Sequence, residues 1–142
     1  MSAPLSCLTP ELCSRRYPEF KFKVSSLWVR QFKSLMGYSE EKVHDDTVPD
    51  IFIACLREAD FKIFEVLDID LDRLLHTTQT FDFMKTIFVG DEIVTRPAVT
   101  KVRTKLNSAN PFVTLEITTE YFRNEELIAR TSGTIFVREA LS

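Results

Sequence analysis

From Leu74 to Arg138 apolar and polar residues alternate over long stretches. That period of two belongs to strands with one buried face. Phe81 and Phe83 flank Asp82, and Ile93 to Leu106 is rich in Val and Thr. Val113, Leu115, Ile117 and Tyr121 point one way, while Thr114, Glu116, Thr118 and Glu120 point the other. Asn107-Ser108-Ala109-Asn110-Pro111 and Arg123-Asn124-Glu125-Glu126 read as turns. The returning strand carries Ala129, Thr131, Gly133, Ile135 and Val137 on one face. Pro97 has no N–H to donate, which predicts a bulge or an edge position there. A meander of this kind has an apolar face that must be covered. The cover is a helix bearing Phe52, Ile53, Leu56, Ala59, Ile63, Phe64 and Leu67 at i, i+3, i+4 spacing, with Cys55 beside the stripe and expected to be deeply buried. The fold class is therefore α+β, with an antiparallel sheet wrapped around a central helix.

Upstream, Phe20, Phe22 and Val24 alternate with Lys21 and Lys23 as a short strand. Ser25 or Ser26 then caps a helix with Leu27, Val29, Phe32, Leu35 and Met36 on its apolar face, stopped by Gly37. Residues 38–50 are polar and read as a loop. Residues 1–18 contain Pro4, Pro10 and Pro18 and little periodicity, so they are expected to form an extended lead-in that packs on the domain or frays. The domain itself is expected to span residues 19–142. Asp68, Asp70 and Asp72 alternate, but the glycine and terminal glutamate of a calcium loop are missing, and a solvated connection is the reading. No cofactor and no metal are expected.

At 142 residues the size prior is one domain. Net charge is −3 with acids and bases interspersed, so no basic block points to nucleic acid. No apolar run reaches membrane-spanning length, and the first sixteen residues lack the charged-then-apolar order of a secretory leader. The three cysteines match no zinc spacing and are expected to be free thiols of a cytoplasmic protein.

Particular residues narrow this further. Leu75-His76, Gln79-x-Phe81 and Gly90-Asp91-Glu92-Ile93 resemble the "LH…Q.F…GD.L" run of MaoC-like hydratases and dehydratases. Val48-Pro49-x-Ile51-Phe52 resembles their "PPTF" entry to the central helix, and Gly133 to Arg138 their closing strand. The likeness runs from about Tyr17 to Glu139. It is strongest to the N-terminal half of two-repeat (3R)-hydroxyacyl dehydratases and to mycobacterial subunits that dehydrate hydroxyacyl chains on acyl carrier protein. It implies a single hot-dog domain, an acyl-CoA or acyl-carrier-protein thioester as ligand, and pairing as a homodimer or with a catalytic MaoC-like subunit. The family chemistry uses an Asp and a His in "F-A-x-x-S-G-D-x-N-P-x-H". Setting Phe32 on the motif's Phe puts Gly37 on its Gly, Tyr38 on its Asp and Val43 on its His, with His44 one place late.

The candidate catalytic residues are accordingly His44, with Glu40, Asp45 or Asp46 as a nearby carboxylate, and Tyr38. Against this, a His among acids is more often an ordinary surface residue, and a tyrosine hydroxyl is a poor base near neutrality. The candidate substrate-binding residues are Phe52, Cys55, Leu56 and His76. Phe52 and the other phenylalanines of this region are core first and acyl lining second. Cys55 is a small core hydrophobe before it is a nucleophile, and His76 is implied to be structural. Gly90-Asp91 is a turn signal.

Overall fold

The structure, a computed structural model, describes residues 2–140. Met1, at the head of the expected lead-in, and residues 141–142, at the end of the expected domain, lie outside them. Among the described residues there are seven strands and three α-helices. They are β1 (Phe20–Lys23), α1 (Ser26–Leu35), α2 (Glu40–Val43), β2 (Thr47–Val48), α3 (Glu58–Val66), β3 (Leu74–Phe83), β4 (Ile87–Phe88), β5 (Glu92–Lys105), β6 (Phe112–Arg123) and β7 (Glu126–Arg138). One antiparallel sheet runs β1-β5-β6-β7-β3, and β2 pairs with β4 in a second, small ribbon. The long strands present their inward residues to α3, as the alternation predicts. Val113, Leu115, Ile117 and Tyr121 are buried on β6, and Ala129, Ile135 and Val137 on β7. The β6–β7 turn places Asn124 and Glu125 at φ 50° and 65°, the left-handed pair that matches strand twist in a tight hairpin.

Pro97 lies past the end of β1, whose last pair is Phe20 with Thr95, so it occupies an edge stretch. The bulge of β5 falls later, between Val99 and Lys101. On the other side of the sheet, β3 is an edge strand with a bulge between His76 and Thr78. Its inward row, set by pairing with β7, runs Leu74, His76, Gln79, Phe81 and Phe83.

Four expectations change. The lead-in is neither simply extended nor loose: it forms two 3-10 turns, Leu5–Cys7 and Pro10–Ser14, and buries Leu5, Leu8, Leu12 and Tyr17 in the core. Arg73, 2% exposed, holds it down by donating to the Ala3 carbonyl and the Ser2 hydroxyl, both at 2.6 Å. The polar stretch 38–50 contains α2 and β2 rather than loop alone. It is fastened by Lys33, 1% exposed, whose Nζ donates to the Lys42 carbonyl at 2.7 Å and to Asp45 Oδ1 at 2.9 Å. The central helix is divided: a 3-10 turn, Asp50–Cys55, precedes α3, with the break at Leu56–Arg57. The tighter turn moves the Cys55 side chain off the buried stripe, so Cys55 is exposed instead of deeply buried. Finally, α1 is capped by Ser25, whose Oγ accepts the Trp28 N–H, and is ended by Gly37 at φ 81°, yet it buries Val29 and Lys33 and leaves Leu27, Leu35 and Met36 exposed. The helix lies at the rim, so one line of side chains meets the core rather than the full apolar face.

Candidate functional site

The break at Leu56–Arg57 is where polar chemistry enters the core. Two apolar clusters fill the molecule. One gathers the lead-in, Ile63, Phe64, Leu115, Ile117 and Val137. The other gathers Val29, Phe52, Ile53, Ile93, Tyr121 and Ile128. Thr119 and its cross-strand partner Thr131 lie between the two stretches of β6 and β7 that feed them. Asp60, 5% exposed, meets this polar layer from α3 and accepts a short hydrogen bond from Thr119 Oγ1. Arg57, on the last residue before α3, forms an ion pair with the Asp60 carboxylate. A buried carboxylate costs several kcal/mol unless it is paired and hydrogen-bonded, and here it is both.

The network continues to the edge strand. Arg57 Nη2 donates to Gln79 Oε1 at 3.1 Å, and His76 Nε2 lies 2.9 Å from the same oxygen. Gln79 is the cross-strand neighbour of Gly133, and a Cβ at Gly133 would collide with Gln79 Oε1 and approach His76 Nε2 to 3.2 Å. Glycine at this position is what lets the carboxamide lie flat across β7. On the far side of the break, Tyr121 donates to the Leu56 carbonyl at 3.1 Å. Burial, aided by the Asp60 charge, pushes the Tyr121 hydroxyl pKa above its usual range, so Tyr121 acts as a fixed donor.

Two cavities flank this break. One, of about 310 Å³, is lined by Phe20, Phe22, Trp28, Phe52, Leu56 and Thr95, and is mainly apolar. The other, of about 450 Å³, lies between α3 and the β7–β3 edge. Its walls include Cys55, Arg57, Asp60, Phe61, His76 and Gly133. The four expected substrate-binding residues are thus divided: Phe52 and Leu56 line the first cavity, Cys55 and His76 the second.

The expected catalytic residues are in neither lining. Tyr38 is 40% exposed. His44 follows α2, with its Nε2 3.1 Å from Glu40 Oε1; their side chains are 55% and 90% exposed. Asp45, a candidate carboxylate partner for His44, is committed elsewhere. It accepts the Thr47 hydroxyl at 2.6 Å and the Lys33 ammonium, which hold its pKa down at about 2. The residues that sequence reasoning missed are Arg57, Asp60 and Thr119. One signal was available: Asp60 interrupts the buried stripe, at i−3 and i−4 from Ile63 and Phe64, where an unpaired acid is not tolerated.

A family model described as "FAS1-like, dehydratase domain region" matches residues 15–131. No curated protein sequence matches the chain. Among solved structures, it is similar to the truncated HadBC (3R-hydroxyacyl-ACP dehydratase) complex of Mycobacterium tuberculosis, at 19% identity and TM-score 0.65, covering 85% of this chain and 92% of that one. It is similar to the ChsH1–ChsH2 complex of the same organism, at 11% identity and TM-score 0.70, covering 96% and 92%. The unliganded R-hydratase PhaJ1 of Pseudomonas aeruginosa matches at 14% identity and TM-score 0.65, covering 87% and 80%. At these identities the likeness establishes the fold, a single hot-dog domain.

Proposed function

This chain belongs to the FAS1-like dehydratase region family, and on that premise we propose that it is the acyl-binding subunit of a (3R)-hydroxyacyl-thioester dehydratase or enoyl hydratase, working beside a MaoC-type partner that supplies the catalytic Asp and His. The observation that carries this reading is the state of the α1–β2 segment. Tyr38 and Val43 stand where the resemblance puts the acid and the base, and His44 is solvent-facing and lines neither cavity. The segment is built to be held by Lys33 and Asp45 rather than to present a reactive pair. The cavities, by contrast, suit an acyl chain: apolar walls with a few polar groups are what such a ligand needs.

Pairing is supported by β3, a ten-residue strand at the end of the sheet whose outward Leu75 is 63% exposed. A long edge of this kind calls for cover, and the HadBC and ChsH1–ChsH2 structures are both complexes. No helix among the described residues is long and apolar enough to cross a membrane. The three free, exposed thiols support a reducing, cytoplasmic setting.

A second reading, a self-sufficient homodimeric hydratase or acyl-thioesterase, is favoured by the Glu40–His44 contact alone. The test is loss of enoyl absorbance with crotonyl-CoA and a longer trans-2-enoyl-CoA, first with the chain alone and then with a MaoC-type partner. Turnover only in the mixture is expected. Turnover by the chain alone that is lost in His44→Ala would establish the second reading. Tight acyl-CoA binding without turnover in any pairing would leave a non-enzymatic acyl-binding module.

A further inference from the structure

His76 shares Gln79 Oε1 with Arg57. A guanidinium only donates, so the carboxamide must present its oxygen to Arg57, because the reverse orientation would set donor against donor. That oxygen is then also what faces His76 Nε2, and it can only accept. Nε2 must therefore carry the proton, and in the neutral ring Nδ1 is left as a lone-pair acceptor. Among the described residues no hydrogen bond engages Nδ1, and His76 lines the cavity between α3 and the β7–β3 edge. Asp60 holds Arg57 at the far end of the chain of contacts, so the tautomer at the cavity wall is set from inside the core.

An acceptor in an acyl-thioester cavity discriminates between ligands by simple chemistry. The thioester carbonyl and sulfur are acceptors, and saturated or enoyl chains bring no donor of their own. The hydroxyl of a 3-hydroxyacyl chain does. We propose that His76 is a specificity-determining residue that accepts a hydrogen bond from the 3-hydroxyl of a hydroxyacyl thioester, and that Gln79 and Arg57 are positioning residues that hold it in the accepting tautomer. This rests on the acyl-binding reading above and names the ligand that site prefers.

The test is calorimetric titration of the full chain with (3R)-3-hydroxybutyryl-CoA and with butyryl-CoA. One net neutral hydrogen bond predicts about three- to tenfold tighter binding of the hydroxylated ligand. His76→Ala should erase that ratio while butyryl-CoA still binds. Gln79→Leu should erase it too, whereas Gln79→Glu, which keeps an acceptor at that atom, should retain it. The chain has two histidines, so the ring-nitrogen NMR spectrum reads the tautomer directly. A single Nε2–H form at His76 is expected, giving way to a mixture in Gln79→Leu. Equal affinity for both ligands, or a ratio that survives His76→Ala, overturns the assignment and leaves the acyl-binding reading standing. Binding of neither ligand overturns both.

Discussion

Replacing Gly133 with alanine tests whether the Arg57–Gln79–His76 chain of contacts is a stable part of the fold. Gly133 does not have a positive φ, so alanine fits its backbone, and the effect must come from the added methyl group. That methyl would collide with Gln79 Oε1 and crowd Gln79 Cδ at 3.3 Å. The carboxamide is displaced and two hydrogen bonds are lost, one of them to a charged donor. Together they are worth about 2–4 kcal/mol. Alanine in place of a strand glycine returns about 0.4–1 kcal/mol through the unfolded chain. The net loss is about 2 kcal/mol, or a fall in Tm of about 4–8 °C for a chain of this length. The decisive assay is a double-mutant cycle by urea denaturation. Once Gln79→Ala has removed the obstructing group, Gly133→Ala should become neutral or slightly stabilising. If it costs the same in both backgrounds within about 0.5 kcal/mol, the methyl is not clashing with Gln79 and the account of this glycine is wrong.

Two further outcomes follow from the polar groups of the fold. Asp60→Ala leaves the partly buried Arg57 without its ion-pair partner and the buried Thr119 hydroxyl without its acceptor, and should lower stability by about 3–5 kcal/mol in urea denaturation; a loss below about 1 kcal/mol would show the pair to be dispensable. Asp45 titrates at about 2 in the folded chain against an ordinary value of 3.8, held down by Thr47 and Lys33. A depressed carboxylate stabilises above its unfolded pKa, and that contribution disappears as pH falls from about 4 to about 2. Asp45→Asn should therefore melt below the parent chain at pH 7, with the gap closing by pH 2; a gap that persists unchanged at pH 2 would contradict this origin.

The long strands and the faces they bury were legible in the sequence because alternation is a local property. Each strand from Leu74 onward shows which of its faces is buried, and Arg123–Glu126 marks its hairpin by composition. The ordered Leu75-His76, Gln79-x-Phe81 and Gly90-Asp91 segments carried the family resemblance for the same reason. The central helix was legible as a stripe but not as a 3-10 turn followed by α3, because both keep an apolar face inward and differ only in pitch. Residues 2–17 gave no periodic signal, since they gain structure only by docking Leu5, Leu8, Leu12 and Tyr17 on a core built by residues far away in the chain. The same holds for the polar network. Arg57, Asp60, Gln79, Thr119 and Gly133 come from α3, the residue before it and three strands, and nothing in their spacing ties one to another. Their contacts exist because burial gives each polar atom a large penalty for standing alone, and only the folded sheet brings its partner within reach.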